Sequence, residues 1–470
     1  MKFFIYFQGG QMKKSVSLVS GNISSTLIKL SLPILGTSFI QMAYNMIDML
    51  WVGRIGSSAV AAVGTAGFFT WFGSSLVFIS KIGAEIGVSQ AIGKKDIKER
   101  NKFIYNSLLI NIVIAIIYTI FLIVFRKELV GFFKLGDSEI NNMAISFLVI
   151  VSLGMIFSFL NPLFTGIFNA SGSSKIPFII NTIGLIVNIV ADPILIFGLF
   201  GFPALGVVGA ALATVGAQAI VTVIFIISFI KNGYSLKLKN KKYIEKKTII
   251  KICRLGIPTA LQNCSFAFFA MIIGRLIASW GPVAIAVQKV GSQIEAISWM
   301  TAEGFGAALT AFVGQNYGAN RWDRILKGYK VTMILAGFIG IFATILLIFA
   351  GKNIFSIFLP EAEAIEAGGT YLRILGLSQL FMCIEITTAG AFNGLGNTVT
   401  PSWVSIILTG LRIPIAILLS GIDTLGLNGV WWSISGTSIA KGIILLSLFN
   451  FIIIKPNRKK FIKTIDKDSL

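Results

Sequence analysis

The chain contains no histidine and only three cysteines among its 470 residues. The lack of histidine excludes imidazole zinc sites, histidine general bases and Ser-His-Asp triads. Cys253, Cys264 and Cys383 lie in or beside apolar runs, where an odd count argues against a disulfide framework. The G-x-x-x-x-G-K-[S/T] pattern of nucleotide-driven pumps is also missing. These absences argue against an enzyme and predict no cofactor and no metal centre held by protein ligands.

Charged residues are scarce as well, at 13% of the chain, whereas 55% of residues are hydrophobic and the mean hydropathy is +0.85. Apolar runs of about 20 residues, long enough to cross a bilayer as helices, recur along the sequence. They lack the period-two alternation of barrel strands, so we predict an all-α integral membrane protein with twelve transmembrane helices. The predicted spans cover residues 26–53, 58–81, 102–125, 140–168, 175–199, 204–230, 252–278, 283–312, 326–350, 364–392, 400–420 and 427–453.

The net charge of +21 is distributed unevenly across these spans. Four basic clusters fall on one side of the predicted topology, and only scattered cations fall on the other. By the positive-inside rule, this asymmetry predicts a multi-pass protein of the inner (plasma) membrane with both termini cytoplasmic. The expected partner of the basic loops is anionic membrane lipid and not nucleic acid. The clusters are Lys94–Lys102, Lys231–Arg254, Arg321–Lys330 and Lys455–Lys467.

Short segments of the first half of the chain recur in the second half. They recur in one order and at a nearly constant offset, close to half the length of the chain, which indicates a duplication. Six spans per half give both halves the same orientation, so we predict a parallel repeat about an axis along the membrane normal, typical of transporters. The pairs are Leu30–Pro33 with Leu255–Pro258, Ser89–Gly93 with Gly314–Gly318, Asn169–Gly172 with Asn393–Gly396, and Gly206–Gly209 with Gly426–Gly429.

The repeat predicts how the chain is divided into domains and connecting segments. An N-terminal cytoplasmic segment, 1–25, precedes two six-helix lobes joined by a basic cytoplasmic linker, and a basic cytoplasmic tail follows. Residues 1–11 read as a translated ribosome-binding sequence ahead of a natural start at Met12. The lobes are 26–230 and 252–453, the linker is 231–251 and the tail is 454–470.

Two carboxylates within predicted spans are candidates for a mechanism. Asp48 is placed in the middle third of the first span and Asp192 in the fifth. A carboxylate in a transmembrane helix is costly and usually marks a relay or faces a cavity. Asn188 lies one turn before Asp192 on the same face, and Pro193 leaves the carbonyl of Ile189 without an amide partner. These groups predict a small polar pocket of carboxylate, amide and unpaired carbonyl.

Several motifs, taken together and in order, resemble the MATE family, the multidrug and toxic compound extrusion transporters. The resemblance implies a V-shaped antiporter that expels organic, often cationic, compounds against H⁺ or Na⁺ by alternating access, acting as a monomer. The alternative is a flippase for a lipid-linked oligosaccharide or another amphipathic metabolite. The motifs are Leu32–Pro33, Ile47–Gly53, Gln90–Gly93 after the second span, Asn188–Gly198, Gly209–Thr214, Val313–Gly318 and Ala391–Gly396.

The resemblance also implies roles for further residues. Thr214 matches a position that adds a hydroxyl to the Asp48–Asp192 pocket, and Pro33 matches a bend in the first helix. The DinF-like branch fits better than the NorM-like branch, whose acids in the seventh and tenth spans are absent here. Glu295, Glu303 and Glu385 remain as secondary candidates, with a structural role pairing Lys289, Arg275 or Arg373 as the alternative.

Overall fold

The computed structural model describes residues 17–233 and 243–457, called here the first half and the second half. The suspected non-native residues 1–11, residues 234–242 of the basic linker and most of the tail lie outside this range. Within it, ten helices are long and apolar enough to cross a membrane, and two bent helix pairs raise the number of spans to twelve. The prediction of an all-α protein with twelve transmembrane helices is confirmed.

Seven helical spans or parts of spans make up most of the first half, together with one short surface helix, α4. They are α1 (Ile23–Gly53), α2 (Ser57–Gly93), α3 (Ile97–Val124), α4 (Arg126–Gly131), α5 (Ser138–Leu153), α6 (Met155–Ala170), α7 (Lys175–Phe197) and α8 (Gly206–Lys231).

The second half repeats this order without a counterpart of α4. Its helices are α9 (Lys246–Ala278), α10 (Pro282–Gly318), α11 (Trp322–Phe355), α12 (Ala362–Gly376), α13 (Gln379–Gly394), α14 (Val399–Ser420) and α15 (Leu427–Phe449), the last continued by a π-helical turn at Asn450–Ile454.

The fourth and tenth spans are each two helices where the sequence predicted one. α5 and α6 meet at an angle of 48°, and α12 and α13 meet at 46°. The first break falls at Gly154, where a Cβ would lie 2.5 Å from a methyl group of Val215 on α8. Close approach of α8 therefore requires glycine at this position, and glycine also weakens the helix there.

The second and eighth spans extend further than predicted. α2 continues to Gly93 and α10 to Gly318, so the motifs expected after these spans form their last turns. The polarity of these turns suggested loops, but their polar side chains are buried between the two halves instead of being solvated. We call this end of the molecule, where α2 and α10 finish beside Lys94 and Arg321, the basic end, and the opposite end the far end.

Glycines allow the two halves to approach closely at the basic end. A Cβ on Gly93 would lie 1.9 Å from the carbonyl oxygen of Gln315, and a Cβ on Gly318 would lie 2.0 Å from that of Gln90. Either side chain would force the α2 and α10 backbones apart. These two contacts are each other's counterparts in the repeat, since one and the same offset relates Gly93 to Gly318 and Gln90 to Gln315.

The segment before α1 also joins the halves, which the sequence did not indicate. Leu18 is fully buried, and its carbonyl oxygen accepts hydrogen bonds from Asn316 Nδ2 at 3.0 Å and Arg324 Nη2 at 3.3 Å. Arg324 Nη1 also donates to the carbonyl oxygen of Gly21 at 2.9 Å. Asn22 then caps α1 by accepting from the Ser25 amide at 3.1 Å.

The start of α9 is fixed to α3 at the basic end. Lys102 Nζ lies 2.9 Å from Glu245 Oε2, and Asn106 Nδ2 donates to the carbonyl oxygen of Tyr243 at 2.8 Å. The hydrogen bond from Lys102 lowers the pKa of the Glu245 carboxyl below its usual range. The last described part of the linker before α9 is therefore attached to the first half.

Candidate functional site

Asp48 and Asp192 lie at matching depths on two helices that pack together. Each is five residues before the end of its helix, α1 at Gly53 and α7 at Phe197, and both helices end at the far end. The prediction that Asp48 lies in the middle third of its span is therefore wrong. α1 begins three residues earlier than predicted and still ends at Gly53, so Asp48 lies in the last two turns of the helix.

Each of the two carboxylates has one hydrogen-bond donor from a predicted neighbour. The Thr214 hydroxyl donates to Asp48 Oδ1 at 3.3 Å across the contact between α1 and α8. Asn188 Nδ2 donates to Asp192 Oδ1 at 3.1 Å along one face of α7. The structure thus brings the four predicted residues to one place, with Asp48 within electrostatic range of Asp192.

Two oxygen atoms of this cluster lack a partner among the described residues. Asp192 Oδ2 and Asn188 Oδ1 are buried without a hydrogen bond, and both side chains are fully buried. An unpaired buried acceptor is destabilising, the more so when it carries charge. Such a pair of oxygens suits a proton on the carboxylate or a small cation that prefers oxygen ligands.

Tyr44 is a fifth member of the cluster that the sequence reasoning missed. Its hydroxyl donates to the carbonyl oxygen of Thr214 at 3.4 Å. It lies four residues before Asp48, so the i, i+4 spacing on α1 was the signal that could have found it. Trp51, one turn after Asp48, packs edge-to-face on Phe197 with ring centroids 6.1 Å apart.

Glu295 belongs to a separate buried network in the second half. The Tyr371 hydroxyl donates to its Oε1, and Gln379 Nε2 donates to its Oε2 at 3.3 Å. Ser298 in turn donates to Gln379 Oε1. All four side chains are buried and come from α10, α12 and α13. Glu295 is therefore held at the bend between α12 and α13.

Glu385 is neutralised by a lysine that the sequence analysis did not consider. Lys441 Nζ on α15 lies 2.9 Å from Glu385 Oε2, and both side chains are 8% exposed. Ser405 donates to Glu385 Oε1 at 2.9 Å. The suggestion that the acids of this half pair with Lys289, Arg275 or Arg373 is wrong for Glu385, because α15 packs on α13 and carries Lys441 into contact.

A second, half-buried cation accompanies this pair. Arg412 on α14 donates to the hydroxyl groups of Thr437 at 2.9 Å and Ser438 at 2.8 Å on α15. It lies within electrostatic range of both Glu385 and Glu295. Two carboxylates and two cations therefore balance in the interior of the second half, whereas the Asp48–Asp192 cluster has two carboxylates and, among the described residues, no cation bonded to either.

The other two predicted residues lie apart from both clusters. Glu303 is exposed on α10, and Lys81 of α2 is its charged neighbour. Pro33 lies inside α1, which continues through it as one helix, and its carbonyl oxygen accepts from the Thr37 hydroxyl at 3.0 Å. Its role as a hinge stays a prediction.

Two regions of the sequence match one protein family. A family model described as MatE matches residues 33–194 and 258–418, two segments that begin at the equivalent prolines of the repeat and together cover more than half of the chain. The chain belongs to the MatE family. The resemblance drawn from the motifs is confirmed, and the match falls on equivalent parts of the two halves of this MatE transporter.

Relatives of this MatE protein span nearly its full length. The probable multidrug resistance protein NorM of Thermotoga maritima is 27% identical over 431 residues, 91% of this chain and 92% of that protein. A protein named FAD transporter from Shewanella oneidensis is 24% identical over 456 residues, 92% and 95% of the two chains. The assignment of this MatE chain to a DinF-like branch stays a prediction.

Solved structures confirm the fold of this MatE protein. A MOP superfamily transporter from Pyrococcus furiosus, described as having a binding pocket of reversed polarity, superposes with a TM-score of 0.86. The match covers 94% of this chain and 98% of that one at 22% identity. At this identity the similarity establishes the shared fold, and substrate and coupling ion have to be argued from the chain itself.

Proposed function

We propose that this MatE protein is a secondary active exporter that expels organic, often cationic, compounds in exchange for inward H⁺ or Na⁺. The observation that carries the proposal is the pair of unpartnered oxygens, Asp192 Oδ2 and Asn188 Oδ1, buried beside Asp48. No protein cation is bonded to either aspartate among the described residues. A cluster with surplus negative charge in a membrane favours the arrival of a positive ion.

The coupling follows from the charge of this cluster. With both aspartates ionised, two like charges lie close together in a region of low dielectric, which is unfavourable. An arriving proton or sodium ion removes one negative charge and stabilises a different packing of α1 on α7 and α8. If the exported compound binds the ionised state better, ion and compound weaken each other's binding, and this reciprocal linkage supports exchange.

The orientation we propose places the basic end in the cytoplasm, because cations concentrate on the cytoplasmic side of membrane proteins. The halves are in contact at that end through α2 and α10, and we propose that this conformation opens to the outside. The Asp48–Asp192 cluster then lies on the outer side of the membrane, where protons or sodium ions enter. The protein is proposed to act as a monomer.

The test is uptake of a fluorescent cation, rhodamine 6G, into everted membrane vesicles that contain the protein. We expect accumulation when the vesicle lumen is loaded with one of the two ions, and collapse when that gradient is dissipated. Loading H⁺ and Na⁺ in separate experiments identifies the coupling ion. Equal accumulation with and without either gradient, measured against vesicles lacking the protein, would overturn the proposal.

A second candidate function is transport of an amphipathic or anionic metabolite. One full-length relative is named FAD transporter, and Lys81 of α2 brings a positive charge within electrostatic range of Glu303 on α10 of the other half. The same vesicles distinguish the two candidates when radiolabelled FAD replaces the dye. Gradient-dependent uptake of FAD without uptake of rhodamine 6G would favour the second candidate.

A further inference from the structure

A recess of about 340 Å³ lies at the basic end, between the first turns of α3 and α9. α3 belongs to the first half of the chain and α9 to the second. The apolar runs of these two helices begin at Phe103 and Ile252, directly after Lys102 and Lys251. Because such a run marks the start of the hydrocarbon core of the bilayer, the recess lies at the level of the lipid headgroups.

Four lysines and three carboxylates line this recess, and all three carboxylates are already engaged. Asp96 is the N-cap of α3 and accepts a hydrogen bond from the Glu99 amide at 2.9 Å. Lys102 Nζ lies 2.9 Å from Glu245 Oε2. Lys94, which is not part of the lining, lies 3.0 Å from Glu99 Oε2. The carboxylates are therefore occupied by other groups and leave part of the positive charge uncompensated.

Lys98 and Lys247 carry this remaining charge. Each is the second residue of its helix, and both are exposed. Neither has a carboxylate oxygen within 4.0 Å in the part of the chain that the structure describes. Lys247 is within electrostatic range of Glu245, but Lys102 already neutralises that carboxylate. An anion between the two lysines is stabilised by both ammonium groups and by the positive ends of both helix dipoles.

The exposed face of α9 continues from Lys247 as a mainly apolar stripe along the helix. Its aliphatic members repeat at helical spacing on the same face as Lys247, and all three are exposed: Ile250, Ile257 and Leu261. Arg254 is exposed on the same stripe, and its long side chain allows the charge to extend toward the membrane surface. A headgroup cation followed by exposed aliphatic side chains matches the two parts of a phospholipid, the phosphate and the acyl chains.

The charge of the linker argues against the linker as the occupant of the recess. Residues 234–242, which lie outside the described residues, contain four lysines and no acidic residue. This segment would add positive charge to a recess that already has a surplus of it. Charge complementarity therefore favours an anion from outside the chain, and basic pockets at this level of a membrane protein bind anionic lipid headgroups.

We propose that the recess between α3 and α9 is a binding site for one anionic phospholipid. The phosphate of the lipid binds between Lys98 and Lys247, and an acyl chain lies along the exposed stripe of α9. This site differs from a general attraction of basic loops to the membrane, because it depends on two particular lysines from different halves. Phosphatidylcholine fits less well, since the same lysines repel its choline group. The proposal does not depend on the export function.

The test is native mass spectrometry of the full chain released from detergent micelles, which resolves each bound lipid. Phosphatidylglycerol is titrated, and the dissociation constant of the first bound molecule is measured. Lys98→Gln and Lys247→Gln should each weaken this binding about fivefold, and about thirtyfold together, as expected for the loss of cations beside an anionic headgroup. Phosphatidylcholine should bind more weakly to the unaltered chain and change by less than about twofold in the variants.

The matched control removes the same charge from the neighbouring positions. Lys95→Gln with Lys246→Gln replaces two exposed lysines of the basic end that do not line the recess. This pair of changes should leave the first dissociation constant within about twofold. Lys98→Arg with Lys247→Arg keeps both charges and should keep the binding of phosphatidylglycerol. Equal weakening by the control pair and by the Lys98–Lys247 pair, or no change in either, would overturn a fixed site.

A soluble competitor distinguishes a lipid from a free phosphate. Glycerol 1-phosphate carries a phosphate without acyl chains, so a millimolar excess should leave the first phosphatidylglycerol molecule bound. Complete displacement would show that the phosphate alone determines binding, and it would overturn the lipid as the occupant. These measurements contain no ion gradient and no exported compound, so their failure would leave the export proposal unaffected.

Discussion

Gln90 and Gln315 make the same hydrogen bond from opposite halves of the molecule. Gln90 Nε2 donates to the carbonyl oxygen of Gly394 at 3.1 Å, and Gln315 Nε2 donates to that of Ala170 at 2.7 Å. The two donors are counterparts in the repeat, and so are the two acceptors. Each glutamine thus holds the last turn of a helix in the other half, and the duplicated sequence closes the basic end by a reciprocal pair of contacts.

Replacing both glutamines should loosen this closure. Each hydrogen bond is worth about 1 kcal/mol, so Gln90→Leu with Gln315→Leu should increase the population open at the basic end more than either change alone. We expect the far ends to approach in response, measured as shorter distances between spin labels at Ser58 and Ile285 by double electron–electron resonance.

The matched control is Gln218→Leu. Gln218 accepts a hydrogen bond from Ser158 within the first half and makes no described contact with the second, so it should leave the distances unchanged. Unaltered distances in the double variant would show that the glycine contacts suffice to keep the basic end closed.

Neutralising Asp192 should abolish coupling without unfolding the protein. Asp192→Asn keeps the volume of the side chain and removes its charge, so rhodamine 6G uptake into everted vesicles should lose its dependence on the ion gradient. Asp48→Asn should do the same, and the double variant should be little worse because the two residues act together. Asp423→Asn, at an exposed position of the far end, is the control. Near-normal gradient-dependent uptake in Asp192→Asn would move the coupling site to Glu295.

Breaking the Lys441–Glu385 pair should destabilise the protein more than breaking an exposed one. Lys441→Met leaves Glu385 buried without its counter-charge, a loss of about 3–5 kcal/mol. Lys352→Met, which removes the exposed partner of Glu366, should cost far less, because water screens exposed ion pairs. Thermal unfolding in nanodiscs measures both.

A second change separates charge balance from transport at this pair. Adding Glu385→Gln to Lys441→Met should restore part of the lost stability, because the uncompensated charge is removed. Normal stability of Glu385→Gln alone, together with loss of gradient-driven uptake, would instead assign Glu385 to the coupling mechanism.

The orientation of the chain can be tested in the linker. A cysteine at Asn240, which lies outside the described residues, should resist a membrane-impermeant thiol reagent in intact cells and react once the cells are opened. The chain with its three cysteines replaced provides the background. Labelling in intact cells would place the basic end outside and reverse the proposed direction of transport.

The sequence alone determined the number of spans and the family. Crossing a bilayer requires about 20 apolar residues in a row, and this is a local property that can be read without any tertiary contact. The repeat was equally visible, because Gly93 and Gly318 or Pro33 and Pro258 keep their residue types at a fixed offset. The i, i+4 spacing of Asn188 and Asp192 likewise predicted a hydrogen bond that the structure contains.

The sequence predicted the ends and breaks of the helices less well. The polar last turns of α2 and α10 resemble loops in sequence, and only their burial between the halves makes them helical continuations. The break at Gly154 depends on the approach of Val215, which comes from a helix two spans later. In both cases the deciding contact is made by another part of the chain.

Only the tertiary structure decided which charges are paired. Lys441 neutralises Glu385 from a different helix, and Thr214 reaches Asp48 from α8, the last helix of the first half, by contacts that no local spacing encodes. The same folding leaves Asp192 with an unpartnered oxygen and Lys81 without a carboxylate in contact among the described residues. Sequence places a charge on a helix, but its free energy in the membrane is set by the groups that packing brings within a few ångströms, because electrostatic interactions in a low-dielectric interior depend steeply on distance.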